Sequence, residues 1–206
     1  MQRYTGFIGQ RQVASGDLIE VALELQAHVD RGEEAPAILI DDSTGNAVGT
    51  SLHGTPAQLR ARLEREQAGG AEEPEKTRKP GPGRPKLGVI SREVSLLPRH
   101  WEWLGKQQGG ASVTLRRLVE QAGRDGEAMQ RARRARDAAY RFMYVMAGDL
   151  PGFEEATRAL FAGDAKKLEQ EMRAWPRDIR AHARKLVEIA RERAREAEEV
   201  EAARKR

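Results

Sequence analysis

Five basic side chains, Lys76, Arg78, Lys79, Arg84 and Lys86, fall within eleven residues that hold no acid and are broken by Pro80, Gly81, Pro82, Gly83 and Pro85. Cations at that density attract phosphate without needing a fold, because the attraction comes from releasing the counterions condensed on a polyanion. Other chemistry has less to work with. The four histidines, His28, His53, His100 and His182, lie in four different segments with no H-x-x-x-H pair, and no cysteine is present to give a thiolate ligand or a disulfide. Gly81-Pro82-Gly83 puts a proline where a phosphate-binding loop needs backbone donors, and neither a G-x-S-x-G elbow nor a serine-lysine signature occurs. Asp41-Asp42 invites a metal or acid–base reading, but Ser43-Thr44-Gly45-Asn46 follows as a turn, where acidic side chains commonly accept backbone hydrogen bonds. The sequence therefore reads as a non-enzyme with no metal and no cofactor, whose recognisable chemistry is phosphate binding.

The elements that would position this chemistry lie just after the basic run. Val89 to Leu96 is rich in β-branched residues and alternates apolar with polar from Ile90 onward, apart from Arg92, which predicts a short strand. With Ile90, Val94 and Leu96 inward, Ser91, Glu93 and Ser95 point outward, and Arg92 joins the inward set unless a bulge turns it out. Pro98 suits a first helical turn, and Leu97, Trp101 and Leu104 share one face of a helix over about Pro98 to Gln107, with Trp101 in its core and Trp103 off that stripe. Gly109-Gly110 makes a turn and Ser112 an N-cap. Leu115, Leu118, Val119 and Ala122 form the stripe of a second helix ending at Gly123. One strand and two short helices bury too little apolar surface to stand alone, so a homodimer with antiparallel paired strands is expected.

This order of basic arm, strand, helix and helix resembles ribbon-helix-helix proteins. The resemblance covers about a fifth of the chain and implies a β-ribbon in the major groove of DNA, with phosphate held by the free N–H groups near Ser112 and Val113. Gly83-Arg84-Pro85 is similar to the core of an AT-hook, in which an extended arginine lies along the narrow minor groove of A·T-rich DNA, although Pro82 stands where that motif has an arginine. The residues expected to meet DNA are Arg78, Lys79, Arg84, Lys86, Ser91, Arg92, Glu93, Ser95, Ser112 and Val113. The readings without nucleic acid are that the arm is a charged linker and the strand a dimerising element.

On either side lie regions of different character. Residues 1–67 read as a small α+β module: a hairpin of Tyr4 to Ile8 and Arg11 to Ala14, a helix capped by Asp17 and stopped at Gly32, a strand Ala37 to Ile40, a further strand Ala47 to Leu52, and a helix capped by Thr55 with Pro56 and Gln58. Residues 68–87 form a Pro/Gly-rich basic linker expected to be disordered, 88–123 the ribbon-helix-helix-like segment, and 127–206 an all-helical region. In that last region Ala135, Ala138, Ala139, Phe142, Met143 and Met146 make an amphipathic stripe. Asp149 and Asp164 read as caps, Phe153, Leu160, Phe161, Leu168, Met172 and Trp175 as core, and Pro176 as a break before Ile179, Ala183, Leu186, Val187 and Ala190. Arg131, Arg133, Arg134 and Arg136 could bind phosphate or form a solvated helix face. The final seventeen residues are charged nearly all round and read as a frayed solvent helix. The fold class is α+β.

Composition agrees with small cores and solvated helices: 5% aromatic, 33% charged, net charge +4, with a mean hydropathy of −0.71. No apolar run approaches a membrane span and the start of the chain lacks a signal-peptide apolar region, so a cytoplasmic location is expected. Ser15-Gly16-Asp17, Gly83 to Gly88, Leu97 to Leu104, Gly109 to Ser112 and Ala147 to Ala156 together resemble an uncharacterised family of bacterial proteins, a domain of unknown function, and that resemblance implies no activity. Two functions of different class follow from the residues. One is a dimeric DNA-binding protein, a transcriptional regulator or nucleoid-associated factor, using a β-ribbon and the arm on double-stranded, A·T-rich DNA. The other is a dimeric protein–protein interaction scaffold without nucleic acid, its helical tail taking a protein partner.

Overall fold

The computed structural model describes residues 2–69 and 93–204. The chain divides into two compact units, one made from Met1–Ala68 and Asp125–Arg206, the other from Gly69–Arg124. The architecture is α+β, a three-stranded antiparallel sheet with helices. Strands β1 (Tyr4–Ile8), β2 (Arg11–Gly16) and β3 (Ala37–Asp41) are ordered β2-β1-β3. Helices α1 (Leu18–Asp30) and α2 (Pro56–Gly69) follow β2 and β3. Then come α3 (Pro98–Gly105), α4 (Gly110–Ala147), α5 (Phe153–Ala162), α6 (Ala165–Glu171) with a 3₁₀ turn Met172–Ala174, and α7 (Arg177–Arg204).

Local signals set most boundaries in the larger unit. Asp17 accepts from the Glu20 N–H at 2.9 Å and starts α1. Gly32, at φ +82°, lies just beyond that helix. Thr55 and Gln58 close a reciprocal capping box, each side chain accepting from the other's backbone N–H, at the head of α2. Asp164 caps α6 through the Lys167 N–H at 3.0 Å. Asp149 caps nothing: α5 begins at Phe153 behind Gly152, which takes φ +80°. Residues 47–52 do not form a strand. A single bridge between Ile40 and Ala47 and a hydrogen bond from Val48 N–H to Leu39 are their ladder contacts, while the buried Gln26 amide donates to the Leu52 and Gly54 carbonyls and holds this stretch on α1.

Alternation along β1 and β3 gives the sheet two buried faces. Gly6, Ile8 and Leu39 meet α1 and α2, where Ile8, Val21, Leu25, Leu39, Leu59 and Leu63 form one core. A Cβ on Gly6 would lie 2.9 Å from Val21, so helix and strand approach as closely as glycine permits. Phe7 and Ile40 point the other way, into a second core with Phe142, Met143, Leu160, Met172, Trp175, Ile179 and Leu186. The segments 1–67 and 127–206, separate regions by sequence, therefore share one core, and the sheet is the middle of three layers. Trp175 completes this core with its indole N–H donating to the Pro151 carbonyl at 2.9 Å.

Helix α4 is one element of 38 residues, so the helix expected to stop at Gly123 does not stop there. Two glycines cost an exposed helix about 1 kcal/mol each against alanine, too little to break a ladder continuous on both sides. Phe161, expected inward, is 47% exposed, one ring neighbour being Tyr140 at 5.6 Å and another the Arg136 guanidinium at 5.4 Å. The charged tail is helical to Arg204 with i,i+3 pairs such as Arg193 with Glu196, and Ala197 within it is buried.

Candidate functional site

Of the residues expected to meet DNA, Arg78, Lys79, Arg84, Lys86, Ser91 and Arg92 lie outside the described residues, as do residues 70–87 of the linker and Val89 and Ile90 of the strand. Glu93 and Ser95 are exposed in a stretch without regular structure that runs into α3 and has no ladder partner among the described residues. Ser112 is not an N-cap. Helix α4 already begins at Gly110, behind Gly109 at φ +90°, which leaves Ser112 and Val113 exposed in its first turn, where backbone N–H groups have no intrahelical acceptor.

The described part of this smaller unit buries Leu104 and Thr114 and little else. Trp101, expected in the core, is 46% exposed, and Val94, Leu97, Trp103, Val113, Leu118 and Val119 are exposed with it. Seven large apolar side chains exposed on α3, the start of α4 and the stretch before α3, with so little buried beside them, is more exposure than a monomer's surface needs.

In the larger unit the turn after β3 carries a constellation that goes beyond the turn chemistry the sequence predicts for Asp41-Asp42. Asp41 fits that reading, its carboxylate accepting from Ser43 N–H, Ser43 hydroxyl and Thr44 hydroxyl. Asp42 does not. It turns onto α7 and accepts from Thr5 Oγ1 at 2.8 Å and Lys185 Nζ at 2.7 Å, with His182 Nε2 at 3.2 Å. The His182 side chain is 1% exposed, and its ring centroid is 4.5 Å from that of Phe142 and 5.7 Å from that of Phe7. Burial on its own would push the Asp42 carboxyl up, but the nearby His182 imidazole and the hydrogen bonds from Lys185 and Thr5 outweigh it and hold the group below the ordinary aspartate value. A carboxylate between an imidazole and an ammonium has the composition of a proton-transfer site. Here the groups close on one another, and the cleft among α4, α5, α6 and α7 is lined by other residues. The arrangement works as a clamp between the sheet and α7.

The same turn is seated on α4. Gly45 takes φ +72°, and a Cβ there would fall 1.9 Å from the Ala138 carbonyl oxygen. Gly45→Ala is therefore expected to cost more than about 2 kcal/mol, from backbone strain and steric overlap together. Urea denaturation checks this; a loss under about 0.5 kcal/mol, the scale of a neutral surface change, means the turn is not fixed by α4.

A cleft of about 520 Å³ opens among α4, α5, α6 and α7, with Leu160, Leu168, Val187, Ala190 and Ala194 inside it and Arg133 and Arg136 on its wall. The arginine cluster read from sequence is thus divided: Arg131 pairs with Glu127 at 3.6 Å on the solvent side, while Arg133 and Arg136 face a cavity.

Residues 3–187 match the family described as "Uncharacterized protein conserved in bacteria (DUF2239)". The chain belongs to this family. The match runs from β1 (Tyr4–Ile8) into α7 and takes in Asp42, His182 and Lys185 together with residues 70–123, so both halves of the larger unit fall within one family match. No curated protein and no solved structure matches the chain. No helix among the described residues of this DUF2239 member is long and apolar enough to cross a membrane, and no group of three metal-ligating side chains occurs among them. Of its four histidines, His28 sits against Glu33 and Glu24, His182 against Asp42, and His53 and His100 are exposed.

Two sites escaped the sequence. His182 and Lys185 stand three residues apart and so share a helix face, but Asp42 is 143 residues from Lys185 and nothing local ties them. The cleft is assembled from four helices whose small residues read individually as good helix formers.

Proposed function

We propose that this chain is a dimeric DNA-binding protein, a regulator or nucleoid-associated factor, that pairs two copies of its strand-helix-helix segment and uses the arm Lys76 to Lys86 on the DNA backbone. The observation that carries the reading is the exposure of the large apolar residues Leu97, Trp101, Leu118 and Val119 in the smaller unit, next in sequence to residues 93–97, which have no regular structure of their own. A second copy of the same segment supplies both a strand partner and an apolar cover, and a two-fold arrangement closes on itself. Pairing through Val94 and Leu96 leaves Glu93 and Ser95 on the outer surface of the ribbon, where Glu93 can accept from a cytosine amino group. The first-turn N–H groups of Ser112 and Val113 support phosphate contact, and the arm adds charge ahead of the ribbon.

The arm gives the test that separates groove reading from bulk charge. The planar guanidinium of Arg84, held between Gly83 and Pro85, is weakly hydrated and fits the narrow, strongly negative minor groove of A-tracts better than an ammonium does. Arg84→Lys keeps the net charge, so it is expected to weaken binding to A·T-rich duplexes several-fold more than to G·C-rich duplexes of equal length. Competition shift assays on paired duplexes measure the difference; equal losses reduce the arm to a tether, and no DNA binding at all leaves the dimer as an interaction scaffold.

A further inference from the structure

We propose that the cleft among α4, α5, α6 and α7 is a binding site for a small amphipathic monocarboxylate, an aliphatic acid of about eight to twelve carbons by the size of the cavity, whose head sits at Arg133 and Arg136 and whose tail lies along α7. The proposal goes beyond the DNA-binding reading and does not depend on it.

The first support is the cavity itself. At about 520 Å³ it has the size of a small-ligand pocket and an apolar lining that includes Leu160, Leu168, Val187 and Ala190. The second is the charge on its wall. Among the described residues Arg133 and Arg136 have no carboxylate within ion-pair distance, whereas Arg131 of the same helix pairs with Glu127. Arg136 is held over the Phe161 ring, and its Nε–H is shielded from solvent with no acceptor. A shielded guanidinium donor without an acceptor costs free energy that an incoming carboxylate relieves.

The third support is polarity along the groove. Ala139 of α4 and Val187 of α7 belong to one core. Arg136 and Arg133 lie three and six residues from Ala139, about 4.5 and 9 Å along the helix, while Glu198, which also lines the cleft, lies eleven residues beyond Val187, about 16 Å away. The inner end is cationic and the outer end acidic, with Ala190 and Ala194 between them. Arg191, a further cation on the wall, is already paired with Glu188 at 3.1 Å. An anion is attracted to the inner end and repelled at the outer end, so one head group is accepted and a second, at the far end of the chain, is rejected.

The test is calorimetric titration of the full chain with decanoate below its micelle concentration. Saturable one-to-one binding at micromolar dissociation constant is expected. Sebacate, the dicarboxylate of equal length, and decanol, which lacks the charge, are each expected to bind about tenfold or more weaker. Arg133→Gln with Arg136→Gln is expected to weaken decanoate by about tenfold or more. Ala194→Phe fills the cleft from its solvent-facing side and is expected to abolish binding while leaving the helical circular dichroism intact; Ala190→Leu serves if that variant fails to fold. No saturable heat, equal binding of decanol and decanoate, or decanoate binding unchanged by filling the cleft each overturns the proposal. Loss of self-association in the Ala194→Phe chain without any decanoate heat would assign the cleft to a second copy and overturn it equally.

Discussion

Asp42→Ala is expected to destabilise the chain by about 3 kcal/mol, the scale of breaking a buried charged contact by removing one partner. The carboxylate is 8% exposed and is the acceptor for Thr5 and Lys185 and the neighbour of His182. Removing it leaves the Thr5 hydroxyl and the His182 imidazole without it in a closed site, whereas Lys185, 40% exposed, can turn to water. Most of the loss therefore arises from Thr5 and His182, and Lys185→Ala is expected to cost only about 1 kcal/mol. Urea unfolding of the two variants side by side measures the contrast; equal small losses would mean that the clamp contributes nothing. The pH dependence has a definite sign. A carboxyl held below its ordinary value in the folded state stabilises fully above the unfolded value, and that stability is lost as pH falls through the depressed folded value. The unmutated chain should thus lose stability toward acid more steeply than Asp42→Asn, the difference growing from the ordinary aspartate range downward.

Leu118→Asp is expected to weaken dimerisation at least a hundredfold, about 2.7 kcal/mol, because two carboxylates would be brought into a shared apolar interface. Leu118 is 44% exposed and lies one residue before Val119, the most exposed large apolar side chain among the described residues of the smaller unit. In a protein that is monomeric anyway, such a change at an exposed helix position would leave both sedimentation and stability nearly untouched. Sedimentation velocity at micromolar concentration should show a dimer for the unmutated chain and a monomer for the variant, and the variant should lose DNA affinity because its ribbon is unpaired. Identical sedimentation of the two removes the dimer from the account.

Much of the larger unit was legible because its signals are local. The hairpin turning at Gly9-Gln10, the Asp17 cap, the Thr55–Gln58 box and the Gly163-Asp164 stop all act within a few residues of the positions that show them. What escaped needed information from afar. Asp149 has the composition of a cap, but the turn through Gly152 delays α5. Gly123 has the composition of a stop, yet α4 runs through it. The union of sheet and helical region did leave a trace: Phe7-Ile8 and Ile38-Leu39-Ile40 are continuous apolar runs, the pattern of strands covered on both faces, where a sheet packed on one side alone would alternate. Trp101 was assigned to a core because Leu97, Trp101 and Leu104 share a helical face; the face exists, and within one chain its buried member is Leu104. Periodicity identifies a surface that needs covering and is silent on whether the cover belongs to the same chain.

DNA binding by the arm and the paired segment is open to a direct check by fluorescence anisotropy with a mixed-sequence duplex at low and moderate salt. Micromolar or tighter binding at low salt is expected of the full chain, falling steeply with salt. Replacing Arg78, Lys79, Arg84 and Lys86 by alanine should lower the slope of log K against log salt by about 3 to 4, as four phosphate contacts are lost. No binding by the unmutated chain at low salt, or the same slope for both proteins, contradicts it.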